Sequence, residues 1–261
     1  MSTAPHTGTS TGTDPGPGPW LPFPSPADGG TATRLFCFPC AGRGASVYRS
    51  WQRLLAPEVE VLPVQLPGRE GRATEPPYTD MDSLMAGLLP VLRDQLRDRT
   101  ERYALFGHSL GAVVAFEAAR RLQAAGRPPS RLVVAAQRPP NEPSDRPPLH
   151  DLPRAAFLTM LGLYGQVPVE LFDDPAAVAL AATGLRADFA LLETYAAPDE
   201  PVLACPVTAL AGLADSSVPP GVMRAWGRLT TGDLTFRPIP GDHFFVHQRT
   251  AEVTALLRGA L

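Results

Sequence analysis

The chain has 261 residues, 44% hydrophobic and 19% charged, with a formal net charge of -3. That is enough to bury a full core as one domain plus an insertion, and the composition is neither fibrous nor that of a disordered chain. All 23 basic residues are arginine but form no basic tract, so there is no electrostatic case for nucleic acid. Three cysteines, Cys37, Cys40 and Cys205, are too few and too unevenly placed for a secreted disulfide framework, which points to a reducing cytoplasm.

Residues 1–30 are rich in Thr, Gly, Pro and Ser, with neither a basic start nor an apolar core. They are neither a signal peptide nor a membrane span and are expected to be a disordered tail. Trp20, Leu21 and Phe23 are the exception, and packing on the domain and mobility in a tail both remain open for them. From Arg34 onward strands and helices alternate, the pattern of a mostly parallel sheet with helices on both faces. Expected in order are a strand at Leu35–Phe38, a helix at Ser46–Leu55 and a strand at Val59–Val64. An amphipathic helix over Asp82–Arg97 follows, with Asp82 as N-cap and Leu84, Leu88, Leu92 and Leu96 on one face. Next come a buried strand from Tyr103, a helix over Leu110–Ala125 stopped by Gly126, and a strand at Leu132–Ala136.

After Arg138 the rhythm changes. A proline-rich stretch leads into two helical segments, Arg154–Leu163 and Pro175–Tyr195, the second with Asp174 as its cap and Pro175 in its first turn. Regular alternation resumes with a strand at Val207–Leu210, a helix at Pro219–Leu229, a strand at Leu234–Ile239 and a final helix at Thr250–Leu257. Residues 31–138 and 200–261 therefore read as an α/β core, and 139–199 as a helical insertion forming a lid; plain extra helical packing is the alternative.

The most informative stretch is Tyr103-Ala-Leu-Phe-Gly-His-Ser-Leu-Gly-Ala112. A buried strand runs into Gly107-His108-Ser109-Leu110-Gly111 and then a helix, so Ser109 sits on a sharp strand-to-helix turn, the pattern of a nucleophile elbow. A glycine-flanked serine is also a sound helix cap, so the assignment depends on partners. A serine hydroxyl needs a base within hydrogen-bond reach and a third group to orient that base. In α/β-hydrolases these follow the serine in the order acid, then histidine, each after a later strand. Asp215 follows the strand Val207–Leu210, and His243 follows the strand ending at Ile239. Among the other histidines, His6 lies in the tail, His150 before the lid and His108 within the elbow, while His247 is a lesser candidate base. Asp199, Asp233 and Asp242 are possible acids by type, but each equally suits a turn. For the oxyanion, Leu110 N–H is one donor by position, and Ala41 N–H, in the loop Pro39-Cys40-Ala41-Gly42-Arg43-Gly44, is the candidate for the second.

Cys37-Phe38-Pro39-Cys40 has the spacing of a dithiol redox site. However, Cys37 falls within a strand and Cys40 is separated from the next helix by Ala41–Gly44, so both read better as small buried residues. With Cys205 the only other cysteine and no paired histidine spacing, no metal is expected.

With these positions assembled, the chain from Arg34 to the C-terminus resembles the stand-alone type II thioesterases of polyketide and nonribosomal peptide synthases. FCFPCAGRGAS looks like the family's oxyanion loop, VQLPGREGRATEP like its PGR segment and GHSLGA like its elbow. LRADFALLETY resembles the lid-to-core segment, and CPVTALAGLAD and GDHFF resemble the acid and base regions. The resemblance implies an α/β-hydrolase fold with Ser109, Asp215 and His243 as triad and the Ala41 and Leu110 amides as oxyanion hole. It also implies hydrolysis of acyl thioesters from the phosphopantetheine arm of acyl or peptidyl carrier proteins, with no cofactor, metal, nucleic acid or membrane. One departure is Arg43, which stands where the family usually has the loop's second glycine. A carboxylester hydrolase or acyltransferase on the same fold, and a non-catalytic carrier-protein binder, are the alternatives.

Overall fold

Six short strands form the sheet of the computed structural model, which describes residues 18–23, 33–97, 102–143, 147–163, 175–197 and 202–261. The strands are β1 (Thr33–Phe38), β2 (Val59–Pro63), β3 (Tyr103–His108), β4 (Arg131–Ala135), β5 (Val207–Gly212) and β6 (Leu234–Ile239). They make one sheet in the order β2-β1-β3-β4-β5-β6, with every pairing parallel. Parallel strands covered on both faces read as continuous hydrophobic runs, and β3 and β5 are buried along their whole length.

Helices α1 (Arg49–Leu55), α2 (Met81–Gln95), α3 (Leu110–Ala124), α4 (Arg154–Leu163), α5 (Pro175–Thr194), α6 (Phe245–Gln248) and α7 (Thr250–Ala260) complete the chain with short 3-10 turns. Side chains alternate across a strand, so β1 feeds two cores. Phe36 and Phe38 join the cluster under α2 and α3, while Leu35 and Cys37 join Trp51, Leu55, Val253 and Leu257 of α1 and α7 on the other face.

Several boundaries differ from the sequence-based expectation. Helix α2 starts at Met81 because Asp80, not Asp82, is its cap: Asp80 Oδ1 accepts Ser83 N–H at 2.8 Å. Asp82 instead lies in the first turn and pairs with Arg121 of α3. The expected helix 46–55 is a 3-10 turn, Ala45–Tyr48, followed by α1. Its first N–H groups go to side chains of the loop after β2, Ala45 to Gln65 at 2.8 Å and Ser46 to Glu70 at 3.3 Å. Pro220–Leu229 is likewise 3-10, and α6 has no counterpart in the sequence reading.

Of the two readings left open for the aromatic stretch around Trp20, residues 18–23 follow the one in which it packs on the domain. Trp20 and Leu21 are buried, Trp20 stacks on Tyr78 beneath the Arg72 guanidinium, and its carbonyl accepts Gln65 N–H at 2.8 Å. Two large apolar side chains with a receiving groove offset the ordering entropy that their polar neighbours cannot. The rest of the tail and Asp174 lie outside the described residues.

Helices α4 and α5 form an insertion between β4 and β5. Two carboxylate anchors, of which Glu117 is buried, hold it to the core and to itself. Glu117 of α3 accepts Tyr195 Oη–H at 2.6 Å while pairing with Arg120 and Arg121. Glu193 accepts the N–H groups of Leu149 and His150 at 2.9 and 3.0 Å. Among the described residues no helix is long and apolar enough to cross a membrane.

Candidate active site

The turn between β3 and α3 is tight because two glycines let backbone meet backbone. A Cβ on Gly107 would sit 2.1 Å from the Gly111 carbonyl oxygen, and one on Gly111 would sit 2.1 Å from that of Phe38. Between them Ser109 is held at φ 54° and ψ -121°, a conformation costing about 1–3 kcal/mol that persists only where the surroundings over-determine it. Here Ser109 N–H donates to Ala135 O at 2.9 Å and its carbonyl accepts Ala112 N–H at 2.8 Å.

The loops after β5 and β6 bring the two partners to this serine. Leu213 N–H donates to Ile239 O at 2.9 Å and Ala214 N–H to Gly241 O at 2.8 Å, so the acid and base loops are sewn together. His243 Nε2 lies 3.0 Å from Ser109 Oγ, and His243 Nδ1 lies 2.9 Å from Asp215 Oδ2. Asp215 Oδ1 accepts the Ser217 and Val218 N–H groups at 2.8 and 3.0 Å and the Ser217 hydroxyl at 2.8 Å. Burial pushes the Asp215 carboxyl up, but the hydrogen bonds from His243, Ser217 and Val218 outweigh it and hold the group below the ordinary aspartate range. An ionised Asp215 takes the Nδ1–H tautomer of His243 and leaves the Nε2 lone pair facing the serine hydroxyl.

The other candidates from the sequence have different places. Asp242 Oδ1 accepts Phe244 N–H at 2.8 Å, a turn role. Asp199 and His6 lie outside the described residues. His150 pairs with Glu193 on the insertion. His108 is fully buried, and its Nε2–H donates to the His243 carbonyl at 2.8 Å. Burial, with the neighbouring His243 and His247, lowers its basicity. His247 Nε2 is buried without a hydrogen-bond partner, and burial with the nearby Arg43 charge lowers its pKa to about 4.

A cavity of about 530 Å³ opens above Ser109 and His243, with Ala41 and Val113 on the core side and Met160, Phe189 and Leu192 on the insertion side. Leu110 opens α3, whose first N–H groups have no intrahelical acceptor. A second cavity, about 600 Å³, lies between α4, α5 and Pro77. It does not include Ser109 or His243 and is not part of this arrangement.

The loop after β1, which carries Ala41, is held by a residue that sequence reasoning did not single out. Asp188 of α5, fully buried, accepts Gly42 N–H at 2.7 Å and both terminal nitrogens of Arg69 at 2.8 and 2.6 Å. The signal was present, since Arg69 and Asp188 lie in the two stretches PGR and RAD, but they are 119 residues apart. Gly42 takes the left-handed φ of 72° that the turn requires, whereas Arg43 has no positive φ and is exposed. An arginine in place of glycine therefore costs the loop no backbone strain. Cys37 and Cys40 are buried free thiols, and burial raises both, Cys40 to about 12. A thiolate-driven redox pair does not fit this setting.

A parallel sheet with a strained serine at a strand-to-helix turn, beneath a helical insertion, defines an α/β-hydrolase. Within that class the chain belongs to the thioesterase family, matching the Thioesterase domain over residues 33–260. It is 36% identical over 231 residues to the linear gramicidin dehydrogenase LgrE of Brevibacillus parabrevis, covering 87% of each chain. Among solved structures, the RedJ thioesterase of the prodiginine pathway of Streptomyces coelicolor is 36% identical with a TM-score of 0.81, covering 92% of this chain and 95% of that one. The type II thioesterase BorB of the borrelidin cluster is 35% identical with a TM-score of 0.75, covering 87% and 90%. The chain is a thioesterase, a hydrolase of acyl–sulfur bonds.

Proposed function

We propose that this enzyme removes acyl groups from the phosphopantetheine arm of carrier proteins in polyketide or nonribosomal peptide synthesis, using Ser109, His243 and Asp215 as its triad. The observation that carries the reading is the hydrogen-bonded line from Asp215 through His243 to a strained Ser109 on the floor of an apolar cavity. Asp215 orients His243, which takes the Ser109 proton as Oγ attacks the thioester carbonyl carbon. The Ala41 and Leu110 N–H groups stabilise the resulting oxyanion. When the C–S bond breaks, His243 returns the proton to the departing pantetheine thiol. A water deprotonated by His243 then cleaves the acyl-serine, releasing the free acid and restoring the Ser109 hydroxyl.

Under this reading α4 and α5 are a lid, and the apolar side chains of Met160, Phe189 and Leu192 receive the acyl chain. BorB is a type II thioesterase of a biosynthetic cluster and RedJ a thioesterase of a biosynthetic pathway, which supports the same substrate class here. The dehydrogenase designation of LgrE is not extended to this chain, because a Ser–His–Asp relay activates a hydroxyl nucleophile and has no part in hydride transfer. The free buried cysteines suit a reducing cytoplasm.

The test is mass spectrometry of carrier proteins loaded with a panel of acyl groups, incubated with wild type and with Ser109→Ala. The wild type returns free-thiol carrier protein and free acid, while Ser109→Ala is slower by several orders of magnitude. Near-normal hydrolysis by the variant refutes the triad. Faster turnover of matched oxygen esters, or transfer of the acyl group to another acceptor, refutes the substrate class.

A further inference from the structure

Outside the lining of the Ser109 cavity, three segments bring together a thiol and two imidazoles that the hydrolytic scheme does not use. Cys40 comes from the oxyanion loop, His108 from the end of β3 and His247 from α6, and one ligating atom of each lies within 4.8 Å of the other two. His108 is fully buried, its Nε2–H is committed to the His243 carbonyl at 2.8 Å, and its Nδ1 is buried with no hydrogen-bond partner. The Nε2 of His247 is likewise buried without a partner.

Two orphaned ring nitrogens beside a buried sulfur are a costly arrangement for a packed interior, since each unmade hydrogen bond to a buried polar atom costs about 1–3 kcal/mol. They are also what a thiophilic cation needs. The hydrogen bond from His108 to a backbone carbonyl is the usual outer-shell support of a metal-ligating histidine, because it fixes the tautomer and aims the other nitrogen at the ion.

We infer that Cys40, His108 and His247 form a binding site for a zinc-class cation, three protein ligands that clamp the loops carrying Ala41, Ser109 and His243. Binding forms one Zn–S and two Zn–N bonds, and the Cys40 Sγ–H proton leaves to solvent. The fourth position goes to water, as in other three-ligand zinc sites. The Cys40 thiolate formed on binding offsets the positive charge of nearby Arg43, which is exposed on the same loop. Zinc distances of about 2.0–2.3 Å require the three loops to close by about an ångström. The cation therefore acts as a tie between the segments that hold the nucleophile, the base and the oxyanion donor.

The spacing of these residues along the chain gave no metal signature, because each ligand comes from a different element. Nor does the site depend on the hydrolytic assignment, and its test needs no substrate. Metal-stripped full-length protein is equilibrated with Zn²⁺, passed through a desalting column and assayed for retained zinc, with Co²⁺ used in parallel as a spectroscopic probe. The wild type is expected to retain stoichiometric zinc, to show a thiolate-to-cobalt charge-transfer band, and to melt at a temperature that rises with free zinc. Cys40→Ser and His247→Gln should lose all three.

Absence of retained zinc in the wild type overturns the inference. So does retention that survives both substitutions, or retention abolished by His243→Gln while Cys40→Ser keeps it, which would place the ion on the base itself. If the variants fail to fold, the cobalt spectrum of the wild type alone decides, because a bound ion without the thiolate band excludes Cys40.

Discussion

Replacing Asp188 tests whether the insertion positions the loop that carries Ala41, the proposed oxyanion donor, or merely covers it. Asp188→Leu removes a fully buried carboxylate and leaves the buried Arg69 guanidinium without its anion. Breaking a buried pair from one side costs about 3–5 kcal/mol. Arg69 keeps weaker bonds to the carbonyls of Pro67 and Arg43 at 3.3 and 3.4 Å, so the lower half of that range is expected. The double variant Asp188→Leu/Arg69→Met removes both charges, which is near neutral when the replacements pack. The residual loss is the Gly42 N–H, whose 2.7 Å bond to Asp188 is gone. An unsatisfied donor costs about 1–3 kcal/mol, toward the low end here because Gly42 is exposed. Urea denaturation of wild type, both single variants and the double variant yields the stabilities, and kcat and KM on a short acyl thioester give the second readout. If Asp188 positions the loop, stability largely recovers in the double variant but kcat does not, because Gly42 directly follows Ala41. A double variant as unstable as Asp188→Leu refutes the charge argument, and wild-type kcat in the double variant refutes the positioning argument.

Other substitutions probe the remaining parts. Asp215→Asn is expected to lower kcat by about 10⁴-fold by disfavouring the productive His243 tautomer, measured by single-turnover hydrolysis. Because the folded Asp215 carboxyl titrates below its ordinary value of about 3.9, its contribution to stability is complete above that value and is lost as pH falls through the lowered one. Acid unfolding of Asp215→Asn should therefore lack that component. Gly111→Ala places a Cβ 2.1 Å from the Phe38 carbonyl oxygen and is expected to destabilise by about 1–3 kcal/mol or more. Gly259→Ala in α7 meets nothing within 4 Å and should stabilise by up to about 1 kcal/mol; differential scanning calorimetry compares the two. Leu192→Trp fills part of the cavity and should lower kcat/KM for long acyl chains by about tenfold or more relative to acetyl, read from a chain-length series.

Much of the fold was legible because a parallel sheet advertises itself. Buried on both faces, β1, β3, β4 and β5 appear in the sequence as largely apolar runs, and Leu84, Leu88 and Leu92 mark the buried face of α2, with Leu96 just past its end. Ser109, Asp215 and His243 could be picked out by chain order, each lying past the end of a parallel strand, β3, β5 and β6, and the structure brings their side chains into one hydrogen-bonded line. What stayed hidden depends on meetings between distant segments. Asp188 sits in mid-helix at a spacing that reads as one more turn of α5, and its partners Arg69 and Gly42 are on other loops. The cluster of Cys40, His108 and His247 draws on three elements with no local pattern. Trp20 was ambiguous because the Tyr78 ring and Arg72 guanidinium that receive it lie far along the chain. Of the two nearby aspartates Asp80 and Asp82, only the hydrogen bond from Ser83 N–H to the Asp80 carboxylate distinguishes the cap of α2.

The two halves of the candidate site are joined through one glycine. Gly111 packs against the carbonyl oxygens of Phe38 and Pro39, where an added Cβ would lie 2.1 and 2.7 Å away. Those residues lead directly into Cys40 and Ala41. The contact that lets α3 begin close beneath Ser109 is thus also the contact that holds the start of the loop carrying Ala41. From the other side Asp188 holds Gly42, so the loop is fixed at both ends, once by backbone contact with the elbow and once by a carboxylate of the insertion. A shift of α5 therefore reaches Ala41 through Gly42 without disturbing the 3.0 Å spacing between His243 and Ser109. If Ala41 N–H is an oxyanion donor, as proposed, movement of the insertion would alter that stabilisation while leaving Ser109 and His243 in register, and kcat in the Asp188 series is the measurement expected to respond.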